Sequence, residues 1–110
     1  MNIANQKQKD MELKFKAERL KIIRKLKGLT QSEVIDKINL ITGGNSKRPY
    51  ERWESGEHEI KAIAIDTLAK VFEVPIGFFY YNKIQITMNS KLEVEIIIEE
   101  TNEKVNFNFI

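Results

Sequence analysis

Lys27-Gly28-Leu29-Thr30-Gln31-Ser32-Glu33-Val34, with Thr42-Gly43-Gly44-Asn45 a little further on, sets the helix boundaries in the first half of this chain. Thr30 and Glu33 stand at the capping-box spacing: the hydroxyl can take a first-turn amide while the carboxylate reaches back to the backbone of Thr30. The spacing predicts a helix from about Gln31 to Asn39, with Val34, Ile35 and Ile38 on its buried side. Gly28 is a natural stop for whatever precedes it, and the Thr42–Asn45 cluster is a breaker that must be loop.

Working back toward the N-terminus, Leu13, Ala17, Leu20, Ile23 and Leu26 recur at spacings of three and four. Asp10 can cap that pattern, so a first helix is expected from Asp10 to Lys27, behind a polar mobile arm at residues 1–9. Working forward, Ser46 is the next cap and Pro49 suits a first turn, which predicts a third helix from Lys47 to Glu54, ended by Ser55-Gly56. A short acidic linker containing His58 follows. Ile65, Leu68, Ala69 and Phe72 then define a fourth helix over Ala62–Phe72, stopped by Val74-Pro75, and Ile76–Tyr80 can add one short turn.

Beyond Asn82 the apolar period drops to two. Ile84, Ile86 and Met88 form one alternating set, Leu92, Val94, Ile96 and Ile98 a second, and Val105, Phe107 and Phe109 a third. This predicts a three-strand antiparallel meander over 83–110 in which Met88 faces Leu92, Ile98 faces Val105, and Glu99 pairs with Lys104. All three apolar rows then share one face. That face must be covered by the first and fourth helices or by the same sheet of a second chain. The fold class expected is mainly α with a β appendage: a four- to five-helix domain over 10–82 and the meander behind it.

Composition narrows the function. The chain has 110 residues, 42% of them hydrophobic and 31% charged, which suits one soluble globular unit. No apolar run is long enough to span a bilayer, and the N-terminus lacks a secretory pattern, so a cytoplasmic location with no membrane partner is expected. With no cysteine and one histidine, His58, neither a disulfide, a thiolate metal site nor a histidine cluster can be assembled, so metal chemistry is not expected and no cofactor is implied. No Gly-rich phosphate loop is present, because Gly43-Gly44 is a lone pair, and Glu93 and Glu95 fall on the outer strand face as solvated carboxylates. An enzyme is not expected. Charge is uneven: residues 1–55 carry 13 Lys/Arg against 7 Asp/Glu, whereas residues 56–110 carry 5 against 9. Only the first half can face a polyanion.

Four short blocks carry a sharper signal: Arg19-Leu20-Lys21, Lys27-Gly28-Leu29-Thr30-Gln31, Arg52-Trp53-Glu54-Ser55-Gly56 and Leu68-Ala69-Lys70-Val71-Phe72-Glu73-Val74-Pro75. In type, order and approximate spacing they resemble the lambda-repressor-like (Cro/Xre) helix-turn-helix family over about residues 17–80. The departure is the segment Leu40–Asn45, where about five extra residues stand in place of a tight turn.

The resemblance implies that the third helix enters the major groove of double-stranded DNA, the groove wide enough for a helix and distinctive for every base pair. Counted back from Trp53, the base-reading positions resemble Lys47, Arg48 and Arg52. The two arginines suit guanine, and Glu51 can accept from cytosine or hold an arginine in place. Gln31 is implied as a phosphate grip at a helix N-terminus, and Thr30 and Ser46 are caps first and phosphate ligands second. Trp53 belongs to the core with Tyr50, and Glu54 resembles a family acid that pairs with a first-helix arginine, here Arg24. The expected role is a dimeric bacterial or phage transcriptional regulator, a repressor, with 83–110 as the homodimerisation element. The rival role is an antitoxin, or a phage-encoded inhibitor or antirepressor, whose sheet binds a partner protein while the helices autoregulate its gene.

Overall fold

A computed structural model describes residues 13–44 and 50–109. Among these residues the chain runs through four α-helices, α1 (Glu18–Leu26), α2 (Gln31–Thr42), α3 (Tyr50–Ser55) and α4 (Ala62–Phe72), then a 3₁₀ turn at Ile76–Phe79. Three strands follow, β1 (Ile84–Met88), β2 (Glu93–Ile98) and β3 (Glu103–Asn108), in an antiparallel sheet of order β1-β2-β3. The mainly helical layout with a C-terminal meander is therefore present. The expected arm at residues 1–9, the Asp10 cap and the start of the third helix at Ser46–Pro49 lie outside the described residues.

The first helix is shorter than its apolar spacing predicts. It begins at Glu18, and Leu13–Lys16 are non-helical. The reason is a competing attachment: the Lys16 amide donates to the Phe79 carbonyl at 2.8 Å, and Phe15 stacks on Phe79 and meets Tyr80 edge-on, with ring centroids 5.5 and 5.8 Å apart. Aromatic docking holds this stretch against the 3₁₀ turn, off the helical path. The spacing of Leu13 with Ala17 is thus coincidental, and Leu13 stays exposed.

Helix α2 is longer than expected, ending at Thr42 where Asn39 was predicted. Its stop is Gly43, at φ 75° in the left-handed region, whose amide donates to the Asn39 carbonyl at 2.8 Å. Leu40 and Ile41, counted with the extra residues that stand in place of a tight turn, are helical and exposed. The capping box forms as predicted, Glu33 N to Thr30 Oγ1 at 3.1 Å and Thr30 N to a Glu33 carboxylate oxygen at 2.9 Å. Helix α4 has the predicted limits.

The strands pair two residues away from the expected register. Met88 faces Val94, Ile96 faces Val105, and Ile98 faces Glu103, so Lys104 lies opposite Ile97 and the Glu99–Lys104 pair does not form. The first turn is wider than predicted, with five residues between Met88 and Val94, and the second is narrower, with four between Ile98 and Glu103 where six would precede Val105. Asn89 accepts from the amides of Lys91 and Glu93 through its side chain, which draws Leu92 into the first turn, and Asn102 takes a left-handed conformation in the second. A slip of two preserves the faces, so the apolar rows still share one side.

That side is covered within the chain. Val94, Ile96 and Ile98 are no more than 1% exposed and join Leu20 and Ile23 of α1, Leu68 and Phe72 of α4, and Phe78 and Phe79 in a single core. Of the two covers considered from sequence, helices of the same molecule bury the central strand. Lys27, at the end of α1, places its ammonium 4.0 Å from the Phe107 ring centroid on β3, a cation–π seam between helix and sheet. Arg19 donates to the Phe78 and Asn82 carbonyls, and Lys16 Nζ to the Tyr80 carbonyl at 2.8 Å.

Leu92 holds φ 62° without glycine's freedom, and its side chain is half-exposed. Left-handed backbone costs a side-chain-bearing residue roughly 1 kcal/mol, so Leu92→Gly is expected to stabilise the protein by up to about that amount in urea unfolding. A destabilised variant would show that the Leu92 side chain contributes more than its backbone costs.

Candidate nucleic-acid interface

The three helices of the resemblance meet at one carboxylate. Glu54, in the last turn of α3, is clasped by Arg24 of α1 through Nε and Nη2, both at 2.8 Å, in a two-pronged pair. The same guanidinium donates from Nη1 to the Leu29 carbonyl at 3.0 Å, so it also braces the α1–α2 turn. Gln31, the first residue of α2, donates from Nε2 to Glu54 Oε1 at 3.2 Å. The side chains of Arg24 and Glu54 are only 12% and 5% exposed, so the pair is held in a low-dielectric setting where its geometry matters.

Electrostatics follow from that enclosure. Burial by itself would raise the Glu54 carboxyl, but hydrogen bonds from Arg24 and Gln31, the neighbouring Tyr50 hydroxyl and the Arg24 charge outweigh it and hold Glu54 below the ordinary carboxylate range. Arg24 is raised, chiefly by its hydrogen bond to Glu54. Burial, then the adjacent carboxylate, pushes the Tyr50 phenol far above its usual value. The Tyr50 hydroxyl is buried beside the pair without a well-formed hydrogen bond to it.

Helix α3 divides as its sequence implies. Tyr50 is buried and Trp53 is half-buried against the core, while Glu51 and Arg52 are exposed on the other side. Among the described residues Arg52 makes no ion pair. Thr30 acts as the cap of α2, with Glu33 lowered first by the Thr30 backbone amide it accepts from. Gln31 lies partly buried at that N-terminus and is tied to Glu54. Ser46, Lys47 and Arg48 lie outside the described residues, so the structure brings together Arg24, Gln31, Tyr50 and Glu54, packs Trp53 against the core and shows Glu51 and Arg52 exposed on the same helix. Sequence reasoning did not foresee that Tyr50 would sit against the ion pair. Its position three before Trp53 signalled only that it was buried.

The basic first half is less free than its count suggests. Lys16 and Arg19 hold carbonyls at the end of the 3₁₀ turn, Arg24 holds Glu54, and Lys27 sits on Phe107. Burial lowers Arg19 and Lys27. The cations exposed to solvent among the described residues of that half are Lys14, Lys21, Lys25, Lys37 and Arg52.

Compared with family models, curated proteins and solved structures, the chain gives no match in any of the three. Among the described residues no group of three His, Cys, Asp or Glu is placed to hold a metal ion, and no helix is long and apolar enough to cross a membrane.

Proposed function

We propose that this chain is a sequence-specific double-stranded DNA-binding protein of the lambda-repressor-like helix-turn-helix kind, acting as a dimer in the cytoplasm to repress transcription. The observation that carries the reading is the Glu54 junction. A carboxylate on α3 held by an arginine of α1 and by the first glutamine of α2 locks the orientation of a short helix whose other side presents Glu51 and Arg52. A reading helix must keep its direction to about the precision of a hydrogen bond, and α3, with six described residues, is too short to be stable by itself. Its supports come from the two helices before it.

In this reading Lys47, Arg48 and Arg52 contact bases or phosphates, Glu51 orients an arginine or accepts from cytosine, and the α2 amides beside Thr30 and Gln31 receive a phosphate. Selection of fragments from a random duplex pool by the full chain tests it. A twofold site is expected, its half-sites about one helical turn apart, roughly 34–36 Å, with affinity falling linearly in log salt. Duplex affinity that is absent, or insensitive to salt, overturns the proposal.

A further inference from the structure

We infer that the outer edge of β1 is a self-association surface, where a second copy of this chain adds its own β1 antiparallel to the first, about a twofold axis at Ile86. Among the described residues β1 pairs only with β2, so one side of its backbone has no strand neighbour there. The bonding phase says which residues that side belongs to. Glu99 N donates to Lys83 O at 3.0 Å and Asn89 N donates to Glu93 O at 3.1 Å, and antiparallel bonding alternates residue by residue. Gln85 and Thr87 therefore face β2, and Ile84, Ile86 and Met88 direct their amides and carbonyls to the open edge.

A twofold axis at Ile86 sets Ile84 opposite Met88 of the second copy and Ile86 opposite its own equivalent. Every such pair joins two outward-facing residues, each able to exchange both hydrogen bonds. The side chains match as well. Ile84, Ile86 and Met88 lie in the apolar row, where Ile86 is still 38% and Met88 52% exposed, and Gln85 meets Thr87 on the polar row. An axis at Ile86 satisfies backbone phase and side-chain face together while pairing all five residues of the strand, the self-complementarity that an isologous contact requires.

The opposite edge behaves differently. β3 carries Glu103 and Lys104, the kind of charged residue that keeps sheet edges apart, while residues 84–88 contain no charge and no proline. Specific interfaces commonly bury about 800 Å² per partner. A five-residue strand pair with a few flanking side chains falls short of that, so the dimer is weak in free solution and tightens when two half-sites bind together. The inference deepens the dimeric part of the proposed function and rests on it for its purpose, but the following test uses no DNA.

Sedimentation equilibrium of the full chain is expected to show a concentration-dependent monomer–dimer mixture. Ile86→Pro, which removes an outward amide that edge strands can spare, is expected to sediment as a monomer with an unchanged circular dichroism spectrum. Ile86→Lys, which places like charges opposite each other, gives the same reading should the proline variant fail to fold. Because the chain has no cysteine, Ile86→Cys is expected to form a disulfide-linked dimer on oxidation, the facing Cα atoms being about 5.5 Å apart. Lys104→Cys on β3, which leaves the β1 edge intact, is expected to form no disulfide-linked dimer. A wild-type chain that is monomeric at every soluble concentration, a dimer that survives both Ile86 substitutions, or equally fast crosslinking through Lys104→Cys overturns the inference. A β1 dimer without duplex affinity would remove the DNA reading and leave this one standing.

Discussion

Arg48→Ala combined with Arg52→Ala is expected to leave a folded protein that binds duplex DNA weakly and without preference for its selected site. Arg52 is exposed and unpaired among the described residues, so its truncation removes no internal support and belongs with surface changes of about 0.5 kcal/mol or less. Each bidentate arginine–guanine contact discriminates by about 1–3 kcal/mol, so losing two from a half-site lowers the preference for the selected sequence about 30-fold at the least. Lys47→Ala shows which of its two contacts, base or phosphate, that lysine makes. A phosphate contact contributes equally on every sequence, so affinity falls uniformly and the log–log salt slope declines by about one per site. Titrating each variant against the selected duplex and a scrambled one, at several salt concentrations, separates the two patterns. Retained preference in the double variant removes α3 from the groove.

Both the legible and the illegible parts of this chain have physical causes. The α2 start was readable because a capping box is a local, reciprocal arrangement spelled by two residues, Thr30 and Glu33. The α4 limits were readable because apolar spacing and the Val74-Pro75 break agree. The start of α1 was not, because Phe15 and Lys16 are held by Phe79 and Tyr80, a long-range attachment that leaves no trace in the period of Leu13 and Ala17. Strand faces were readable from alternation, but the exact register depends on turn width. Asn89 widens the first turn and the left-handed Asn102 tightens the second, through preferences that act on backbone conformation, not on hydrophobicity.

The site divides in the same way. The Arg24–Glu54 pair was expected through the resemblance and is formed at 2.8 Å, whereas periodicity alone would have left Glu54 as a surface carboxylate. Charge counting misled in the other direction. A tally of lysines and arginines does not say that Lys16, Arg19, Arg24 and Lys27 have internal partners, so the field available to a polyanion is smaller than the first-half excess implies.

Glu54→Ala is expected to cost about 3–5 kcal/mol of stability, because it leaves the Arg24 guanidinium enclosed without its counter-charge and Gln31 without its acceptor. Against native stabilities of about 5–15 kcal/mol, that is a large part of the total. The pH dependence has a definite sign. Glu54 is depressed in the folded state, so its contribution is fully present above the ordinary carboxylate range and is lost as pH falls through the lowered folded value. Urea unfolding of the wild type should weaken on acidification, and the Glu54→Gln variant should lose that part of the slope. Replacing both partners, Arg24→Met with Glu54→Leu, removes the stranded charge and is expected to recover most of the stability, since apolar isosteres often substitute for a buried pair at little cost. Recovery of operator affinity is not expected with it. The apolar pair cannot hold Gln31 or fix the direction of α3, so a stable protein that binds its site poorly is the outcome that assigns the junction to orientation. A Glu54→Ala protein within about 1 kcal/mol of wild type would mean that the pair is as dispensable as an exposed one, and that α3 takes its direction from Tyr50 and Trp53 alone.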